Sequence, residues 1–338
     1  VLEDMLRFGL DDAHLSWIAK NLRHDLATAL ARHGLAQRIA ARDVPGDVGA
    51  GVAASAGLSR HGVGDVLAAN AARAAQALRS LEESSAVVAP AASTVFESIR
   101  YRLYALERSA ATAGASAARL EHISLCVLVD GGADGPSFTT LMESLVDAGV
   151  RMVQLRDKSL PVPVLVERVR TALTIARRHE GEARPIVLVN DRVDVAAALS
   201  ADGVHVGADD MPVPLARRVV GPGVLVGRTA HRLAEARAAV LDGADYLGVG
   251  PCFPSSTKAF ATHAPPEFIQ TVCGETTLPT FAIGGITVDR IGELAALGVR
   301  RVAVASAVTR AADPGRAARQ LIDTIDRLMV SRATASHP

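Results

Sequence analysis

Lysine is almost missing from this chain: only Lys20, Lys158 and Lys258 occur in 338 residues, against 33 arginines. Wherever a solvated positive charge suffices, arginine is used, so a retained lysine marks a place that needs a compact ammonium. Aromatic residues make up 3% of the chain, and hydrophobic residues 49%, much of it Ala and Val. The core must therefore be built from many small aliphatic contacts. Formal net charge is zero, which argues against a field that recruits nucleic acid or an anionic membrane. The three cysteines, Cys126, Cys252 and Cys273, form no CxxC pair and no even framework. That argues against a disulfide scaffold and favours a reducing, cytoplasmic setting. No apolar run reaches the roughly 18–20 residues of a membrane helix, and no signal-peptide pattern is legible.

What is present divides into two parts. Residues 1–110 read as helical, with apolar positions at helical spacing in Leu2, Met5 and Leu6 and again in Leu15, Ile18, Leu22, Leu26 and Leu30. A Gly/Pro-rich break at 44–49 interrupts them. Residues 111–121 are rich in small side chains and suit a linker or a continued helix. From Ser124 the pattern changes. Short β-branched runs at 125–129, 152–156, 186–190, 203–206, 224–227, 246–250, 280–283 and 301–305 alternate with amphipathic stretches such as 140–148, 162–178, 233–241 and 288–297. Eight βα units in residues 122–332 specify a (β/α)8 TIM barrel, preceded by a smaller all-helical domain. An open doubly wound sheet is the competing fold. Its Gly-rich fingerprint is missing, because Asp130-Gly131-Gly132-Ala133 does not fit GxGxxG.

In a barrel the C-terminal strand ends carry the chemistry. The second strand ends in Gln154, Arg156 and Lys158, which alternation puts on one face. An amide, a guanidinium and an ammonium together suit a diphosphate beside a heterocycle. The third ends in Asn190-Asp191, and the fourth leads through His205 to Asp209-Asp210. Carboxylates at neighbouring strand ends, beside cationic phosphate ligands, suit Mg²⁺; a helix cap is the bland alternative, above all for Asp209. Thr229 and His231 follow the fifth strand. Ser255, Thr257 and Lys258 follow the sixth. Gly284-Gly285 and Ser306 follow the seventh and eighth, where this fold commonly binds a phosphate monoester. Two anion sites of different construction imply two phosphorylated substrates joined between them. Cys252 has no evident base and reads as packing.

Residues 122–332 resemble the thiamine phosphate synthase (thiamine-phosphate pyrophosphorylase) family, in order and over the whole barrel. The resemblance rests on 153–158 (VQLRDK), 189–191 (VND), 202–207 (DGVHVG), 227–231 (GRTAH), 248–251 (GVGP), 255–258 (SSTK) and 283–286 (IGGI). It implies that hydroxymethylpyrimidine diphosphate and a thiazole phosphate are joined with release of pyrophosphate. It further implies that Asp191 and Asp210 bind magnesium, and that Arg156, Lys158, Ser255, Thr257 and Lys258 hold the diphosphate. Gln154 and Asn190 match contacts to the pyrimidine, and Gly285 and Ser306 match the thiazole-phosphate site. Arg156, Lys158 and Lys258 are then the groups expected to promote the reaction. Two departures stand out: Ala208 where the family usually has Gln, and Thr229 where it often has Ser, the hydroxyl being kept.

The helical region resembles an alternative hydroxymethylpyrimidine phosphate kinase that is fused to some bacterial synthases. The matching stretches are 22–26 (LRHDL), 41–43 (ARD) with 46–49 (GDVG), and 100–104 (RYRLY). Arg23, Asp25, Arg42, Asp43 and Asp47 become candidate residues of such a site, with ATP as a substrate, although no P-loop is present. The plain alternative is a docking or dimerisation domain. For the barrel, the alternatives are a thiazole tautomerase-like isomerase and a non-catalytic regulator that binds thiamine precursors. The expected partners are these small molecules, with no nucleic acid and no membrane, and a homo-oligomer is left open.

Overall fold

The computed structural model describes residues 1–35, 46, 59–132, 134–254 and 262–335. The chain forms two compact units, Val1–Gly114 and Ala115–Pro338.

The first unit is helical. α1 (Leu2–Asp4) runs into a π-helical turn over Met5–Gly9, followed by α2 (Ala13–Arg32), α3 (Val63–Val88) and α4 (Pro90–Arg119). Asp12 caps α2 by accepting from the Leu15 N–H at 2.8 Å, which satisfies one orphan donor of the first turn. Of the apolar positions at helical spacing, Leu6, Leu15, Ile18, Leu22 and Leu30 are buried, while Leu2, Met5 and Leu26 are half-buried. Phe96 and Ala92 of α4 pack against Ala29 and Leu30 of α2. The small-residue stretch after residue 110 stays helical to Arg119, consistent with alanine's high helix propensity.

The second unit is a closed barrel of eight parallel strands in sequential order. Its strands are β1 (Leu125–Val129), β2 (Met152–Leu155), β3 (Ile186–Asn190), β4 (Gly203–Val206), β5 (Leu225–Ala230), β6 (Tyr246–Val249), β7 (Thr280–Ile283) and β8 (Arg301–Val304). The helices between them are α5 (Gly135–Asp147), α6 (Val162–Ala176), α7 (Val193–Ala198), α8 (Val213–Val220), α9 (Leu233–Asp242), α10 (Pro266–Glu275) and α11 (Ile291–Ala296). α12 (Ser306–Thr309) and α13 (Pro314–Ala335) complete the chain order. α5 starts earlier than its apolar period suggests. Asp134 caps it through the Ser137 N–H at 2.7 Å, and a proline sits in its first turn.

Alternation along each strand decides what fills the barrel. Cys126, Leu128, Met152, Ile186, Leu188, Leu225, Tyr246, Phe281 and Ala303 form the interior cluster, with Leu120 and Ile123 packed into it. Tyr246 and Phe281 meet edge to face, ring centres 5.6 Å apart. Room for these rings comes from glycine. A β-carbon on Gly227 would lie 2.0 Å from the Tyr246 ring. Among the described residues, no helix is long and apolar enough to cross a membrane.

Candidate active site at the C-terminal rim of the barrel

One cavity of about 540 Å³ opens at the strand ends. It brings together Gln154, Arg156, Lys158, Asn190, Asp191, Asp210, Thr229, Gly285 and Ser306, which lie up to 152 positions apart in the sequence (306 − 154). Ser255, Thr257 and Lys258 lie outside the described residues, as do Arg42, Asp43 and Asp47.

The loop after β2 is held by Asp157. Its carboxylate accepts from the Gly131 N–H at 3.2 Å and from the Ser159 N–H and hydroxyl at 2.8 and 2.6 Å. Burial pushes the Asp157 carboxyl up, but these donors outweigh it and hold the group below its ordinary range. The clamp leaves Lys158 free to turn toward β3, where its Nζ lies 2.7 Å from Asp191 Oδ2.

Asp191 sits at a sharp turn with φ of 61°, a left-handed conformation that Asp tolerates better than most residues. Its own N–H still donates to the His205 carbonyl at 2.8 Å, while the Arg192 N–H turns back to the Asn190 carbonyl at 2.7 Å. The strand therefore ends by aiming this side chain inward. Asp191 and Asp210 are close enough to share a proton. Burial, together with the neighbouring Asp210, raises the Asp191 carboxyl despite Lys158. For Asp210 burial acts in the same upward direction. The hydrogen bond with Asp191, the Gly207 N–H at 2.7 Å and the charges of Lys158 and Arg228 reverse it, so Asp210 stays low. Two hard oxygen donors brought together in this way are a donor set that fits Mg²⁺, which takes few carboxylates and completes its shell from phosphate and water. Among the described residues, no group of three or more His, Cys, Asp or Glu side chains is disposed around one metal position.

The floor of the cavity is a buried polar chain that the sequence shows only in fragments. His205 Nε2 lies 2.8 Å from the Thr229 hydroxyl, and its Nδ1 lies 3.0 Å from the Tyr246 hydroxyl. Gln154 hydrogen-bonds the same phenol. Burial, helped by the nearby charges of Arg156 and Arg228, lowers His205 to about 4, so the ring is neutral. Burial likewise raises Tyr246 well above its ordinary value. β5 extends to Ala230, beyond the end at 227 read from the sequence, so Thr229 is a strand residue in register with Gly248. A side chain at 248 would press on His205, 3.2 Å away.

On the opposite wall, Gly284 and Gly285 have φ of 102° and 61°. A β-carbon at 285 would lie 2.2 Å from the Pro254 carbonyl oxygen. Only glycine allows the loops after β6 and β7 to pack this closely. Burial pushes the Cys252 thiol up to about 12, which agrees with a packing role and not a nucleophilic one.

Two residues at the site, Tyr246 and Arg310, escaped the sequence reading, which weighs Asp209 as a helix cap. Asp209 lines the cavity and caps no helix, since the cap position of α8 falls on Pro212. Tyr246 begins its strand and looks like ordinary core. Arg310 lines the far wall, and its only sequence signal is a spacing of one helical turn from Ser306.

In the helical unit the two flagged charges among the described residues, Arg23 and Asp25, do not line the same cavity. Arg23 pairs with Glu3 at 2.9 Å and borders a cavity of about 690 Å³ that also includes Asn70 and Arg73. Asp25 pairs with Arg102 at 2.6 Å and is not among the residues lining that cavity.

Residues 125–308 match the family model described as thiamine monophosphate synthase, and residues 1–109 match the ThiD2 family. The thiamine-phosphate synthase of Rhodopirellula baltica is 40% identical over 316 residues, covering 91% of this chain and 83% of that protein. The thiamine-phosphate synthase of Synechocystis is 34% identical over 327 residues, covering 97% and 92%. Among solved structures, the thiamine phosphate pyrophosphorylase of Pyrococcus furiosus superposes with a TM-score of 0.54 at 31% identity, over 62% of this chain and 98% of that one. The chain therefore belongs to the thiamine-phosphate synthase family of transferases, its barrel carrying the synthase domain and its helical N-terminal region a domain of the ThiD2 family.

Proposed function

We propose that the barrel joins hydroxymethylpyrimidine diphosphate to thiazole phosphate with release of pyrophosphate, and that the helical unit makes that diphosphate from the monophosphate and ATP. The observation that carries the synthase reading is the single cavity that gathers an amide, a guanidinium, an ammonium and a carboxylate pair on one side and a glycine-rich wall on the other. The kinase reading rests on the family match of residues 1–109.

In this reading Gln154, Asn190 and Thr229 hold the aminopyrimidine. Arg156, Lys158, Ser255, Thr257 and Lys258 hold the diphosphate, and Gly285 and Ser306 border the thiazole phosphate. Asp191 and Asp210 would hold Mg²⁺, which when bound supplies charge to the diphosphate oxygens and so improves the leaving group. The carbon–oxygen bond to the diphosphate breaks, and its electron pair leaves with pyrophosphate. Arg156, Lys158 and Lys258 take up the charge that develops there. The electron-rich aminopyrimidine stabilises the methylene cation that remains. The thiazole nitrogen then gives its lone pair to that carbon and becomes the ring cation of the product. No proton has to be removed, which suits a site whose buried histidine is neutral and doubly engaged. Positioning and charge stabilisation carry the rate.

Two parallel reactions test both halves. One contains the chain with hydroxymethylpyrimidine monophosphate, ATP, Mg²⁺ and thiazole phosphate. The other contains the diphosphate in place of monophosphate and ATP. Thiamine phosphate, followed by its oxidised fluorescence, is expected in both. Product only from the diphosphate refutes the kinase half, and product in neither, from folded protein, refutes the synthase reading.

A further inference from the structure

Arg310 lines the cavity and has no role in the mechanism given above. Of the described lining residues that follow β6, β7 and β8, it alone carries a formal charge. Its neighbours there are glycines, small side chains and Ser306. Arginine is common on this molecule, and several of the barrel's rim and surface arginines are paired. Arg192 binds Asp194, Arg232 binds Glu235 and Arg237 binds Glu275, each at 2.6 Å. The Arg310 guanidinium has no acidic or hydrogen-bonding partner among the described residues. Its backbone is fixed, since its N–H donates to the Ser306 carbonyl at 3.2 Å, so the side chain starts one turn beyond Ser306.

Strand order gives this position its meaning. In the ring of eight, β8 lies four strands from β4, so Arg310 is across the barrel from the Asp210 carboxylate. Lys158 is engaged with Asp191 at 2.7 Å and serves the other side. A phosphate monoester carries about 1.5–2 negative charges near neutrality. Glycine backbone donors offer it hydrogen bonds but no full countercharge. A guanidinium supplies both the charge and a two-pronged donor geometry that matches phosphate oxygens.

We propose that Arg310 binds the phosphate monoester of the thiazole substrate and sets the preference of this chain for the phosphorylated thiazole over its free alcohol. This rests on the synthase reading of the barrel. Arg310 is a binding residue for the non-reacting end of the substrate, so its loss should raise KM and spare kcat.

The full chain is assayed with saturating diphosphate and Mg²⁺ against varied thiazole phosphate and, separately, varied thiazole alcohol. Arg310→Gln is expected to raise KM for the thiazole phosphate by about 10- to 100-fold, the worth of a charge-assisted contact, with kcat within about threefold. Arg310→Lys should recover part of the loss. The KM for the diphosphate and kcat/KM for the alcohol should stay within about twofold, which also reports an intact fold. Equal losses on phosphate and alcohol, or no loss on either, overturn the assignment of Arg310. A wild-type chain that forms no product from the two phosphorylated substrates overturns the synthase reading first, an outcome distinct from an active enzyme indifferent to residue 310.

Discussion

The two units of this chain use charged side chains in opposite ways. In the helical unit, charge is spent on neighbours. Arg100 donates to Glu82 at 2.6 Å, with both side chains largely buried, and Arg79 reaches Glu82 and Glu83. Glu82 is held low first by its hydrogen bond with Arg100, and Arg100 is raised first by the same contact. In the barrel, charge is gathered at one rim and left facing a cavity. Asp191 and Asp210 are pressed together, which with burial raises the Asp191 carboxyl, and Arg156 lines the wall beside them. Isolated pairs hold helices together, whereas charges crowded at one cavity are what a ligand with many charges completes.

Four experiments break or sharpen this contrast, in order of expected effect. Replacing Asp191 by Asn removes one carboxylate of the crowded pair. Turnover of the diphosphate should fall about 100-fold, the scale of losing one preorganised electrostatic partner, and chelation of Mg²⁺ should do the same to the wild type. Lys258→Ala should lower it at least about tenfold. Near-normal turnover in both variants, with the barrel folded by circular dichroism, would remove the site assignment.

In the helical unit the corresponding lesion is structural. Arg100→Leu leaves the largely buried Glu82 carboxylate with only the half-exposed Arg79 as its cation and should lower the thermal midpoint of that unit. The double change Arg100→Leu with Glu82→Leu should recover much of the loss, because a buried pair is worth less than an apolar replacement of both partners. Turnover of supplied diphosphate should stay within about twofold. A double variant no more stable than the single would show that the pair does more than satisfy itself.

A third effect follows from His205. Its folded-state value of about 4 lies below the ordinary 6.5, so as pH falls through this window the unfolded chain takes up the proton first. Stability is then fully present above about pH 6.5 and lost progressively toward pH 4, by about 3 kcal/mol from this group. His205→Gln should be less stable at pH 7 and show a shallower decline between pH 6.5 and 4 in urea titrations. An unchanged slope would mean that His205 is not the neutral, buried ring described above. The smallest effect belongs to Asp25. Its pair with Arg102 is exposed, 43% and 46% for the two side chains, so Asp25→Asn should change stability by less than about 0.5 kcal/mol. If that variant also loses ATP-dependent product, Asp25 belongs to the kinase site and the contrast between the units narrows.

Much of this was legible beforehand, for identifiable reasons. Strand periods survive in a parallel barrel because both faces are buried in short runs bounded by Gly and Asp, so seven of the eight strands fall within a residue of their expected limits, at 125–129, 152–155, 186–190, 203–206, 246–249, 280–283 and 301–304. Gln154, Asn190, Asp191 and Gly285 announced themselves as polar or glycine residues where a β-branched run stops. Thr229 lay beyond the expected end of β5, because Arg228 and Thr229 interrupt the apolar run while the backbone ladder continues. Tyr246 gave no signal, since a buried tyrosine at a strand start reads as core until its hydroxyl is seen against His205. Asp209 misled because an Asp before a proline-led helix usually caps it.

The order of apolar and polar residues by itself determined the helical first unit, the eight βα repeats and the rim on which the chemistry lies, because periodicity and strand direction are local properties. The tertiary fold alone decided which of those rim residues meet. Barrel closure puts β8 beside β1 and opposite β4, so it separates Arg310 from the carboxylates while pressing Asp191 against Asp210. Those distances are long-range, and the pKa shifts that follow from burial and proximity exist only once the ring is closed.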